Sequence, residues 1–379
     1  MTENTAFSDP LSHGAVARNP VSPLLPGFDI LRIFAALGVV FSHSFLLAQG
    51  NSLSEPFQMA TGHILGIYSV FVFFILSGYL VSDSALRSGS LRRFALKRAR
   101  RILPAFVAAT VITTLVVAPF YADAGARSFL GNPETWKMLL RVLTLQEGGL
   151  YFNDISFYTP AFDGQAKYKG IVIGVLWTIR IEIVCYAMVG VLWVLGLLRP
   201  MVLMALTLLA LLFSFNYTLH VTQFLGEASF VLPCFLAGMV LRLTAHDHRA
   251  IGSWAAFSGF GLVLSMLYFP QWAAVSLCLF PLLASYPLLW LGQQGLGRMR
   301  IATDNWPDPS YGIYLWGWPV QQVLLALAGP GISTEAFLAL CLTTTVCVGY
   351  LSWYLLEEPF LLRGKRSEPY RVGTGTSPR

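Results

Sequence analysis

Charge is scarce in this chain. Only 12% of its 379 residues are charged, against 55% that are hydrophobic, where soluble domains carry roughly 25% charged residues. Too few charges remain to cover a water-facing surface, which excludes an ordinary soluble domain and leaves an integral membrane protein. Closely paired cysteines are missing as well. Cys185, Cys234, Cys278, Cys341 and Cys347 all fall in apolar runs, so neither a disulfide framework nor a metal site is implied, and packed thiols are the reading. There is no Gly-rich phosphate loop, no nucleophile elbow and no obvious inverted repeat of the kind common in transporters. The first 25 residues have no apolar core of a cleavable signal peptide and read as a disordered cytoplasmic tail, over 1–26.

What is present is a series of ten apolar stretches, at 28–48, 63–83, 102–120, 175–197, 201–217, 226–243, 252–269, 272–291, 310–328 and 335–356. Most reach the roughly 20 residues that cross a bilayer, so the expected fold class is all-α, a polytopic membrane protein of about ten transmembrane helices. The seventh and eighth stretches are split only by Pro270 and Gln271, and a count of nine or eleven stays open. Basic residues mark the cytoplasmic loops. Arg87, Arg92, Arg93, Lys97, Arg98, Arg100 and Arg101 follow the second stretch, and Arg242 and Arg249, Arg298 and Arg300, then Arg363, Lys365 and Arg366 fall on the same side. The loops at 49–62, 218–225 and 329–334 have no Lys or Arg. Both termini are therefore expected in the cytoplasm, with the membrane domain at 27–362 and a second tail at 363–379. The net charge of +6 follows from these inner loops and does not argue for nucleic acid. One long outer segment, 121–174, carries Trp136, Leu139, Leu140, Val142 and Leu143 at the spacing of an interfacial helix and is long enough to cover a site.

Against this background, ionisable residues inside apolar runs stand out, because they are costly there unless paired or wetted. Arg32 and His43 lie eleven residues apart in GFDILRIFAALGVVFSHSFLLA; eleven helical steps close to within roughly 20° of three full turns, placing both on one face about 16 Å apart. The run LWTIRIEIVCY brings Trp177, Arg180 and Glu182 in from the outer side, at the depth expected for His43. Arg180 and Glu182 are about 200° apart on a helix and cannot pair well, so Glu182 is expected to partner His43. A carboxylate beside an imidazole suits a general base or a transient acyl acceptor. The simpler readings are a packed helix-contact histidine and an arginine that snorkels to the interface. Arg98, Arg100 and Arg101 either mark topology and attract anionic lipid or, with Arg32, grip the phosphates of a cytosolic ligand through bidentate contacts. Ser77, Tyr311, Tyr314 and Gln321 are candidates to line a passage, and Trp177 to stack on a sugar or sit in the interfacial belt.

These pieces resemble the acyltransferase 3 family of membrane O-acyltransferases over nearly all of 27–360. The Arg32-to-His43 spacing is similar to the family's Arg-x10-His signature, FFILSGYL at 73–80 to its second-span element, KRARRILP at 97–104 to its Arg-rich lead into the third span, and LWTIRIEIVCY at 176–186 to its Trp-Thr-x-x-x-Glu-x-x-x-Tyr element. SYGIYLWGWPV at 310–320 and LLEEPF at 355–360 resemble its closing elements. Two positions depart: Gly317 stands where many relatives carry His, so no role for that histidine transfers, and Arg180 fills a slot often apolar or Pro. The resemblance implies ten core helices in a bacterial inner membrane, an acyl-CoA donor, usually acetyl-CoA, used from the cytoplasmic side, and an acceptor hydroxyl on a glycan or glycolipid, without a trailing SGNH-type hydrolase domain. Joined to the residue reading, it makes His43 and Glu182 the expected catalytic pair and Arg32, Arg98 and Arg101 the expected donor-binding residues. Arg180, Trp177, Ser77, Tyr311 and Tyr314 are expected on the substrate side. A transporter or flippase of a lipid-linked glycan, or a receptor without chemistry, are the competing classes; neither gives a reason for the basic inner mouth and the same-face histidine.

Overall fold

The computed structural model describes residues 26–161, 165–215, 222–244, 253–268, 273–296 and 307–366. Hydrocarbon offers no partner to a backbone N–H or C=O, so long apolar runs satisfy these groups internally by coiling into helices. The elements are α1 (Pro26–Gln49), α2 (Pro56–Thr61), α3 (Leu65–Arg87), α4 (Leu91–Ile112), α5 (Ala126–Gly131), α6 (Pro133–Leu143), strands β1 (Leu150–Tyr151) and β2 (Ile171–Ile173), α7 (Leu176–Val194), α8 (Pro200–Phe215), α9 (Gln223–Thr244), α10 (Ser253–Tyr268), α11 (Ala273–Trp290), α12 (Ser310–Ala328), α13 (Thr334–Ser352) and α14 (Glu358–Arg366). Each of the ten apolar stretches of the sequence overlaps one of the longer helices. Among the described residues, seven helices are long and apolar enough to cross a membrane: those beginning at Gly27, Leu65, Leu91, Leu176, Gln223, Val275 and Thr334. Pro200–Ser214 and Ala255–Ser265 are shorter apolar helices.

Two close contacts organise the bundle. In α3 and α9, Gly78 and Gly238 face the opposing backbones: a Cβ on Gly78 would lie 1.9 Å from the Phe235 carbonyl oxygen, and one on Gly238 2.1 Å from that of Ile75. Only hydrogen fits at either position, and the two helices meet backbone to backbone, the mode of small-residue packing in membranes. The second contact is the seam between α1 and α12, which run side by side in the same direction. It is fastened by Arg32 to Asp308 just before α12 and by Gln321 donating to the Val40 carbonyl and the Ser44 hydroxyl, both at 2.8 Å; the end of α1 is tied to α13 by Gln49 donating to Thr334 at 3.2 Å.

The loop joining α1 to α3 is pinned by Glu55, which is fully buried. Its carboxylate accepts from the Ser42 hydroxyl (2.8 Å), the Gln58 amide (2.6 Å) and the Leu65 amide (2.9 Å), so one side chain caps both α2 and the start of α3. The helix expected in the outer segment is α6, held by its Asn132 cap. Leu139 and Val142 face inward, whereas Trp136 and Leu140 remain exposed, as on a helix lying at an interface. β1 and β2 pair antiparallel, Leu150 with Ile173 and Tyr151 with Ile171, folding the outer segment back over the bundle. All five cysteines are free.

Some sequence expectations meet different geometry. Helix α14 carries on to Arg366, past the expected start of the second tail at 363. The first tail, over 1–26, lies outside the described residues except for Pro26, and Arg249, Arg298 and Arg300 lie outside them as well.

Candidate functional site

A cleft opens between α1, α3, α7 and α12, lined by Arg32, Val70, Phe73, Phe74, Ser77, Thr178, Ile179, Glu182, Tyr311 and Tyr314. Five of these ten, namely Arg32, Ser77, Glu182, Tyr311 and Tyr314, are residues the sequence singled out. The walls are apolar and aromatic with a few convergent polar groups, the usual character of a ligand site. Tyr314 is held by the Thr178 hydroxyl at 2.7 Å and donates to the Val175 carbonyl at 3.2 Å; Tyr311 donates to the Ile102 carbonyl at 3.2 Å.

Glu182 turns to α3 and to its own helix. It accepts from Ser77 at 3.1 Å and from Tyr186 at 2.5 Å. The contact with His43 that the sequence suggested is not made: Tyr186, one turn along α7, already fills that role, and the spacing of four residues puts both side chains on one face. Arg180 leaves α7 on the other side, as 200° requires. It pairs with Glu227 of α9 at 3.0 Å, donates to the Gln146 carbonyl of the outer segment at 3.1 Å and lies over the Phe224 ring. It therefore ties the outer segment to the bundle and is not among the residues lining the cavity. Trp177 is half-buried and packs against Gly148 of the same segment.

At the inner end, the arginines converge as a cluster. Asp308, 6% exposed, accepts from Arg32 at 2.6 Å and also from Arg101. Arg101 reaches Glu357 at 3.5 Å and stacks on Trp353. Burial works against the Asp308 carboxylate, but Arg32, Arg101 and the hydroxyl and amide of Ser310 hold it below the usual carboxylate range. Arg98 differs. It donates to Ser84 at 3.1 Å and lies over the Tyr186 ring, has no carboxylate within ion-pair distance among the described residues, and keeps a buried Nε without a partner. Two of the three expected donor-binding cations are thus largely neutralised in place, and the third retains an unused donor.

His43 lies further out along α1. Its ring meets that of Trp318 edge to face, centroids 4.9 Å apart and planes at 79°. Trp318 is one turn beyond Tyr314 on α12, so this pair continues outward from the cavity wall. Above it, the Trp318 Nε1–H donates to the Ile171 carbonyl at 3.0 Å, and Gln322 donates to the Tyr168 and Ile171 carbonyls at 2.8 and 2.9 Å. The outer segment therefore roofs the His43–Trp318 pair.

Asp308, Glu357, Tyr186, Trp318 and Glu55 were not singled out as site residues in the sequence. Glu357 and Tyr186 lie inside quoted motifs, and a buried arginine cluster itself demands a carboxylate. Glu55 before Pro56 is a helix-start signal. Trp318 lies inside the quoted element at 310–320, but its contact with His43 is not marked there.

The sequence pattern of the acyltransferase 3 family, described as an acyltransferase domain, matches residues 25–353. The chain is 27% identical over 349 residues to a protein of Shigella phage Sf6 named O-acetyl transferase, covering 89% of this chain and 96% of that one. It is 28% identical over 359 residues to nodulation protein 10 of Rhizobium leguminosarum bv. viciae, covering 88% and 92%. To a putative peptidoglycan O-acetyltransferase, YrhL, of Bacillus subtilis strain 168 it is 22% identical over 404 residues, covering 92% of this chain and 56% of that protein. No solved structure matches it.

Proposed function

Because the chain belongs to the acyltransferase 3 family, we propose that it takes an acetyl group from acetyl-CoA on the cytoplasmic side of a bacterial inner membrane and transfers it to a hydroxyl of a glycan or glycolipid, with His43 at the reacting centre. The coarser statement, a membrane O-acyltransferase, follows from the family, from relatives named as O-acetyltransferases and from the apolar helices. The acceptor class is supported by the relative named for peptidoglycan. The observation that carries the reading is the His43 ring, with no hydrogen bond to either nitrogen among the described residues, set beneath the outer segment and one helical turn beyond a cavity that extends inward to Arg32.

In this reading Arg98, which has no carboxylate partner among the described residues, takes a phosphate of the donor, and Arg32 and Arg101 add to the local field while remaining on Asp308. Ser77, Tyr311 and Tyr314 line the passage for the acyl-bearing arm. The free imidazole accepts the proton of the acceptor hydroxyl as that oxygen bonds to the thioester carbonyl carbon; the C–S bond then breaks and the sulfur leaves and takes up the proton. Acylation of His43 itself, followed by transfer, balances equally well. Glu182, bonded to Ser77 and Tyr186, shapes the cavity wall and acts on His43 through no direct contact. Trapping labelled acyl-His43 without acceptor separates the two routes.

The test is purified protein with labelled acetyl-CoA. Free CoA should appear in an acceptor-dependent way, and His43→Ala should abolish it while the protein stays monodisperse. Full activity in that variant overturns the assignment, and uptake of substrate without acylation points to transport instead.

A further inference from the structure

A catalytic imidazole is ordinarily held by a hydrogen bond to its second nitrogen, which sets tautomer and ring orientation. His43 has no such bond among the described residues; its recorded partner is the Trp318 ring, 4.9 Å away and edge to face. Rotation of the imidazole about its own axis is therefore limited by packing, and chiefly by where the indole sits.

The indole is fixed from the far side. Its N–H donates to the Ile171 carbonyl of β2 at 3.0 Å, and Tyr168 lies edge-on at 6.0 Å. Gly174 presses flat against it: a Cβ there would meet three atoms of the ring at 3.1 Å each. β2 is in turn held by its pairing with β1 and by Gln322, whose amide bridges the Tyr168 and Ile171 carbonyls. A continuous stack runs from the outer segment through Trp318 to His43.

We propose that Trp318 is a positioning residue for His43, and that the outer segment, by gripping the indole at Ile171 and Gly174, sets the orientation of the imidazole. The inference rests on the reading of His43 as the reacting group. Arg180 and its bonds to Gln146 and Glu227 steady the other end of the same segment, so the roof acts on the imidazole as a unit, and an acceptor that shifts the roof also shifts the ring.

Trp318→Phe keeps an aromatic ring beside His43 and removes the N–H that holds it to Ile171. We expect kcat to fall roughly 10- to 100-fold, the scale of an ångström-level misplacement, with KM for acetyl-CoA unchanged. Gly174→Ala, which pushes on the indole from the roof, should lower kcat several-fold with the same unchanged KM, and it decides the question if Trp318→Phe does not fold. A second readout needs no activity: carbethoxylation of His43 by diethyl pyrocarbonate in the resting protein, followed by mass spectrometry, should change in rate several-fold in both variants. Wild-type kcat and wild-type His43 reactivity in the two folded variants overturn the proposal. Loss of the catalytic reading is distinguishable, because it shows as activity surviving His43→Ala, whatever the reactivity data say about the stack.

Discussion

Asp308→Asn leaves two buried guanidiniums, Arg32 and Arg101, facing a neutral amide. In the wild type the carboxylate accepts from both, and from the Ser310 hydroxyl at 2.5 Å and amide at 3.2 Å; the side chains of Arg32 and Arg101 are only 17% and 15% exposed. Breaking a buried pair by removing one partner costs about 3–5 kcal/mol, because the surviving charge has lost both water and counter-ion. Glu357, 3.5 Å from Arg101, compensates one of the two cations in part, which puts the expectation at the lower end, about 3 kcal/mol. The assay is thermal unfolding of the detergent-purified protein at pH 7, with Arg32→Gln and the double variant completing a cycle. The double variant should be less destabilised than the sum of the two single ones, by about 1–3 kcal/mol. The pH dependence gives a second check. The Asp308 carboxyl is held low in the folded state, so its contribution is complete above the unfolded value near 4 and drains away as pH falls through the folded value. Protonation of Asp308 itself should therefore narrow the gap between wild type and Asp308→Asn as pH falls below about 4. A variant as stable as wild type at pH 7, or additive single effects, would refute the shared-carboxylate argument.

Arg98→Gln removes a cation that has no carboxylate within ion-pair distance among the described residues, so KM for acetyl-CoA should rise about 10-fold, the loss of one charge-assisted contact, while kcat and melting temperature hold; steady-state kinetics measures this. Gly238→Ala would place a methyl 2.1 Å from the Ile75 carbonyl oxygen, and since backbone cannot yield as a side chain can, the α3–α9 contact must open at a cost above the usual 1–3 kcal/mol of overpacking; size-exclusion profiles and melting report it. Arg180→Ala frees the Gln146 end of the outer segment, so limited proteolysis within 144–174 should speed up several-fold with the bundle left intact, read as fragment masses.

Much of the architecture is legible in the sequence because the bilayer leaves few choices. A run of some 20 apolar residues has few ways to satisfy its backbone, and each of the ten runs overlaps a helix. Arg32 and His43 share a face of α1 for the arithmetic reason that eleven steps nearly close three turns, and that face does meet α12. Pairing between helices is less legible. Glu182 could reach several partners at its depth, and the choice of Ser77 and Tyr186 over His43 depends on how α3 and α7 are rotated, which no single-chain period encodes. Asp308 lies 276 residues from Arg32, so its partnership belongs to the tertiary fold alone. Trp318 lies inside the 310–320 element, but its contacts with His43, Gly174 and Ile171 belong to the tertiary fold.

The shared carboxylate at the inner end also bears on release. Under the proposed acetyl-CoA chemistry, cations that already neutralise Asp308 and Glu357 hold the donor's phosphates less tightly than bare ones would, so spent CoA is not trapped after giving up its acyl group. Such a vestibule trades grip for throughput.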